Sequence, residues 1–125
     1  MPSPDDRRYL DSHEWHKPDG DLIAVGISQF AVDELTDITY LEVSVDSGPI
    51  EAGDTFGEIE SVKATSDLYC GIAGEVVEVN QAVVDNPALV NDDPFGEAWI
   101  IKVKPSDAAQ LESLKSAADY DADHG

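Results

Sequence analysis

A chain of 125 residues, 42% of them hydrophobic, is long enough to bury one core and too apolar to remain a disordered acidic segment. Its 27 acids outnumber seven lysines and arginines, for a net charge of -20, and no basic stripe exists to hold phosphates, which excludes nucleic acid as a partner. No apolar run reaches the length of a membrane span, so no membrane association is expected.

The opening MPSPDDRRYLDS has no apolar stretch of the signal-peptide kind. SHEWHKPDGDLIAVGI (12–27) reads as a hairpin, with Pro18-Asp19-Gly20 as its turn and Leu22 to Ile27 as the return strand. SQFAVDELT (28–36) predicts two helical turns with Ser28 as N-cap. DITYLEVSV, β-branched and aromatic, predicts a strand that ends at Ser47-Gly48-Pro49. TFGEIESV, GEVVEVN and EAWIIKV follow as strands bounded by Gly, Pro, Asp or Asn. DNPALVN (85–91) suits one helical turn, with Pro87 near its start. SDAAQLESLKSAADY (106–120) is the clearest helix, with Leu111, Leu114 and Ala118 on one face. The chain reads as a single domain over residues 1–125, its core at about 9–118 and residues 119–125 a frayed acidic tail.

DTFGEI from Asp54 is echoed by DPFGEA from Asp93, and LEVSV from Leu41 by VEVN from Val77. Such a spacing, about forty residues, suggests two related halves packed face to face as a small sandwich. Lys63 falls where the first half hands over to the second, a natural position for a projecting hairpin turn.

A self-contained enzyme is hard to build from these residues. Nucleophilic catalysis needs a nucleophile, a base and an orienting group that converge, and the chain has three histidines and one cysteine. His124 lies in the tail. His13 and His16 are three apart in an expected strand, so they face opposite sides and do not share a metal. Cys70 has no second thiol to pair with; it reads as a small buried thiol and fits a reducing cytoplasm. Acids in nearly every segment make the charge a surface-wide property, read as adaptation to concentrated salt; an acidic face for a basic partner is the other reading.

Lys63 is the exception to the solvated-surface reading. A lysine at a mobile tip, on a four-carbon stem, is a natural point for amide attachment of a cofactor. Val62 is expected to anchor the turn, and Ala64, Thr65 and Ser66 leave room for a modifying enzyme; Glu60 lies three residues before the lysine. A solubilising lysine is the plain alternative.

The segment GEIESVKATSD (57–67) resembles the lipoyl-attachment motif of the glycine cleavage system H protein family, and SHEW, VGIS and LVNDDPFGEAW match its other segments in order. A biotin carrier would have methionines flanking the lysine, where Val62 and Ala64 stand here. The resemblance implies lipoate on Lys63, with Glu60, Val62 and Ala64 around the attachment point and Ser12, Glu14 and Asp67 docking the loaded arm. It implies a non-catalytic, monomeric cytoplasmic carrier of the aminomethyl group of glycine. Its implied partners are a pyridoxal-phosphate glycine decarboxylase, a tetrahydrofolate-dependent aminomethyltransferase, a dihydrolipoyl dehydrogenase and lipoylating enzymes.

The implied fold is mainly β: the barrel-sandwich hybrid of two antiparallel sheets found in lipoyl domains, with short helices and a C-terminal helix. An H-like relay for lipoate transfer, or a lipoyl or biotinyl carrier of another complex, is the alternative function. Two departures from the family pattern bear on local structure. Thr36 stands where a glycine commonly stops the first helix, and Gly71 where a proline commonly stiffens the strand after the arm.

Overall fold

The structure is a computed structural model and describes residues 4–45 and 47–124, without the side chains of Ala108 and His124. Among the described residues nine strands form two antiparallel sheets. The larger takes β1 (Arg8–Tyr9), β2 (Glu14–Asp19), β3 (Leu22–Ile27), β5 (Gly48–Ile50), β8 (Gly74–Val79) and β9 (Ile101–Pro105), in the order β1-β2-β3-β9-β8-β5. The smaller takes β4 (Ile38–Val43), β6 (Thr55–Ser61) and β7 (Thr65–Tyr69), in the order β4-β6-β7.

The expected hairpin is β2–β3, with Asp19 opposite Leu22 and Gly20 at φ 63° in its two-residue loop. Alternation sorts the faces of β3. Ile23, Val25 and Ile27 enter the main core with Leu41, Phe56, Ile59 and Leu68 of the smaller sheet, while Ala24 joins Tyr9, Trp15 and Tyr120 on the other face. Trp15 lies flat over Gly26, where a Cβ would stand 2.5 Å from Trp15 Cζ2. The indole N–H donates to the Pro94 carbonyl at 2.9 Å.

The barrel expected from the resemblance is not formed. Two antiparallel sheets are present with short helices and a C-terminal helix, but among the described residues neither sheet closes on itself. The outer edge of β4 is met by helices instead of a strand. There α2 (Gln81–Asp85) and α3 (Ala88–Asp92) pack on it, and Asn91 accepts the Ile38 N–H at 2.9 Å and donates to the Thr36 carbonyl at 2.6 Å. The Ile38 N–H at the start of that edge is thus taken by a side chain instead of a neighbouring strand.

The echo of halves is also absent from the fold. DTFGEI runs into β6, whereas DPFGEA forms turns before β9, and both sheets mix segments from the two halves of the chain. The expected long helix is divided. A 3-10 helix (Ala108–Ser113) and α4 (Ala117–His124) flank Lys115, whose N–H and C=O exchange hydrogen bonds with Tyr9 at 3.0 and 2.9 Å. Pairing with β1 demands extended backbone at that point, so helical spacing loses to tertiary contact. Residues expected to fray are helical as far as His124, held by Tyr120, which is 2% exposed and stacked on Tyr9 at 4.8 Å.

Candidate functional site

Lys63 lies in the turn that joins β6 to β7 and is exposed. Ser61 organises that turn: its Oγ accepts the N–H groups of Lys63 at 3.1 Å and Ala64 at 3.0 Å, and its backbone N–H donates to the Ala64 carbonyl at 2.8 Å. Val62 donates its N–H to Asp37 O at 3.1 Å, but its side chain is 70% exposed and does not anchor the turn by packing. The turn is held by hydrogen bonds, from the Ser61 hydroxyl and from the backbone. Glu60 stands on β6 between Tyr40 of β4 and Thr65 of β7, and Ala64 is exposed beside the lysine.

From Thr65 the chain runs down β7 into a cleft of about 240 Å³. Ser66, Asp67 and Leu68 of β7 form one wall; Ser12, His13 and Glu14 form another. Ile27 and helix α1 (Gln29–Leu35) complete it with Phe30, Ala31, Glu34 and Leu35. The three residues proposed for arm docking, 55 positions apart at the extremes (67 minus 12), thus share one cleft. Asp67 follows Lys63 by four positions, the last three of them on β7.

Glu14 is the buried member, 1% exposed. One carboxylate oxygen accepts the Ser12 hydroxyl and the other accepts the Tyr69 N–H at 2.9 Å. Burial outweighs both bonds and pushes its pKa up to about 7. Ser12 and Asp67 are exposed at the rim. The cleft therefore offers two carboxylates in water, Glu34 and Asp67, and one withdrawn from it, Glu14.

His13 and His16 do not share a site. His13 sits before β2 with φ 81° and lines the cleft, whereas His16 is fully buried. The Nε2 of His16 accepts the Gly71 N–H at 2.9 Å, and burial pushes its pKa down to about 3. Gly71 thus supplies a donor that a proline would lack, and the bond ties the strand after the arm to β2. Cys70 is a buried thiol, as expected, with its pKa pushed up to about 11 by burial.

Three site neighbours escape the sequence reading: Phe30 and His13, whose rings meet at a tilt with centroids 4.6 Å apart, and Tyr120, whose hydroxyl lies 2.6 Å from His13 Nδ1 and 2.7 Å from Ser28 Oγ. Ser28 was legible as an N-cap, and it accepts the Ala31 N–H at 3.3 Å. No local spacing joins residue 13 to residue 120.

An exposed lysine on a hydrogen-bonded hairpin, followed by a strand leading to a partly acidic cleft, describes a presenting device without a catalytic constellation. The family model for the glycine cleavage H-protein matches residues 7–124. The chain belongs to that family. It is 52% identical to a probable glycine cleavage system H protein of Natronomonas pharaonis, over 95% of this chain and 94% of the relative. Identity to the glycine cleavage system H protein of Cyanothece sp. is 49%, over 95% and 92%. The crystal structure of a glycine cleavage system H protein from Mycobacterium marinum matches with a TM-score of 0.87 and 36% identity, over 96% of this chain and 97% of that one.

As an H-protein the chain is a non-catalytic carrier of the aminomethyl group in glycine cleavage. Family membership supports a lipoyl-lysine cofactor and contact with components of the glycine cleavage system. Among the described residues no helix is long and apolar enough to cross a membrane, and no cluster of potential metal ligands occurs.

Proposed function

We propose that Lys63 is the lipoyl-bearing lysine of this H-protein and that the loaded arm docks in the cleft between Ser12, Glu14 and Asp67. The observation that carries this reading is the continuity from an exposed lysine, down β7, to Asp67 and the buried Glu14. A lipoyl group supplies the sulfurs that accept and release the one-carbon cargo. The protein's residues do the rest. Ser61 fixes the lysine's backbone, and the free space around Ala64 admits a lipoylating enzyme. Glu14 is poised near neutrality, and an ammonium beside it favours its carboxylate form. The walls restrict water, which strengthens that attraction.

The partners on this reading are the glycine decarboxylase, the aminomethyltransferase, the dihydrolipoyl dehydrogenase and the lipoylating enzymes, met by a single-domain cytoplasmic protein. Exposed acids on β4, β7, β8 and α1 support the reading of the charge as adaptation to concentrated salt. Peptide mapping of host-purified protein tests the attachment site. Trypsin does not cut Lys17-Pro18, so a blocked Lys63 fuses fragments 9–63 and 64–102 into one peptide with the added lipoyl mass. Cleavage after an unmodified Lys63 overturns the assignment.

A further inference from the structure

We propose that Tyr120 is a positioning residue of the arm cleft: its hydroxyl joins His13 on one wall to Ser28 at the start of α1, and so fixes the spacing of the two walls. The proposal rests on the reading that the loaded arm docks in this cleft. The geometry behind it is independent of the arm. The phenol oxygen is 2.6 Å from His13 Nδ1 and 2.7 Å from Ser28 Oγ, one as donor and one as acceptor. Each partner leads directly into the cleft. His13 is followed by Glu14 and its ring touches that of Phe30; Ser28 Oγ caps α1 at Ala31, and Phe30 and Ala31 both line the cavity. The Ser28 N–H also donates to the His13 carbonyl at 2.8 Å, so the two walls meet twice at this corner.

The left-handed backbone of His13, at φ 81°, makes the bridge more than an accessory. An L residue enters that region at a cost, and it stays there only when its surroundings hold it. The ring contact with Phe30 and the bond to Tyr120 are two such restraints, and both aim the chain so that Glu14 enters β2 with its carboxylate toward Ser12 and Tyr69. Tyr120 itself is held by its stack on Tyr9. Helix α4, remote from the cleft in sequence, is thereby part of its frame.

The Tyr120→Phe variant tests this, since it keeps the ring stack and removes only the hydroxyl. Lipoylated protein is loaded through glycine and decarboxylase, and the cargo's decay in water is followed as formaldehyde. In that decay the carbon–sulfur bond breaks and water supplies the oxygen: the thioether and water give thiol, formaldehyde and ammonium. The variant loses both hydrogen bonds of the hydroxyl; a weakening of the docked state by about 1.4 kcal/mol predicts decay about tenfold faster.

A second readout uses the unloaded protein. The His13 imidazole NMR signals should move in Tyr120→Phe, because Nδ1 loses its partner, while the thermal midpoint shifts by only a few degrees. A purely packing role for the ring predicts wild-type decay and unmoved His13 signals, and that outcome overturns the proposal. His13→Gly cuts the other end without touching the core and should decay as fast as Tyr120→Phe. His13→Asn, which tolerates the same backbone and returns a nitrogen near Nδ1, should restore shelter; decay as fast as in His13→Gly contradicts the bridge. If wild-type cargo decays as fast as the same group on free dihydrolipoamide, the docking reading itself fails, a result distinct from any difference among variants.

Discussion

Glu14 is where the structure most changes what a single residue means. The resemblance offers a carboxylate near a cation; the fold withdraws that carboxyl from water and raises its pKa to about 7. The folded protein therefore keeps a proton between about pH 4.5 and 7 that the unfolded chain has released, so stability falls as pH rises through that window. Glu14→Gln has no such proton to lose. It should melt near the wild type at pH 5 and above it at pH 8, with a gap of up to about 3 kcal/mol, since each pKa unit is about 1.4 kcal/mol. A gap that stays constant across a pH series of melts contradicts this. Thr36 offers a second test. It ends α1 with its N–H on Val32 O at 2.8 Å, at φ 66° and ψ -127°, and it is exposed. A β-branched residue there is strained, so Thr36→Gly should raise stability by about 1 kcal/mol in a denaturant titration.

Elements were legible where local chemistry decides them. The β2–β3 hairpin follows from Pro18-Asp19-Gly20 and the run to Ile27, and α1 from its Ser28 cap. The turn at Lys63 was legible only as the place where two expected halves meet; β7, the strand that follows it, was not among the predicted strands. What could not be read is what long-range pairing overrules. Lys115 leaves the helical pattern because Tyr9 takes its backbone groups, and DPFGEA turns where DTFGEI extends. The helices on the edge of β4 belong to the same class, since nothing in DITYLEVSV announces that Asn91 will take the Ile38 N–H. Gly26 ties the hairpin to the second cluster through Trp15, and a methyl there meets the indole at 2.5 Å. Gly26→Ala should cost about 1–3 kcal/mol, read as a lowered denaturant midpoint with the slope unchanged.

At the scale of the whole molecule, the charge is shared among exposed faces, and 27 acids face seven lysines and arginines. Asp19 pairs with Lys102 at 2.9 Å, and Asp11 and Asp123 share Lys115. Cross-strand neighbours Glu42, Glu58 and Asp67 carry like charge across the smaller sheet. Repulsion of that kind is screened by salt, so the thermal midpoint should climb with added sodium or potassium chloride alike. Equal stability in dilute buffer and concentrated salt favours an acidic face kept for a basic partner. Two sheets, an N-terminal hairpin and a C-terminal helix then act together: one end presents the lysine, and the other builds the cleft beside it.

The central claim, that this H-protein works through an arm on Lys63, is tested most directly by glycine-dependent NADH formation with the three partner enzymes. Both proteins are first treated with the lipoylating enzymes. Lys63→Arg keeps the charge and the turn, but a guanidinium cannot form the amide that attaches lipoate. The wild type should sustain NADH formation and Lys63→Arg should fall to the level without carrier; a variant as active as the wild type contradicts the account.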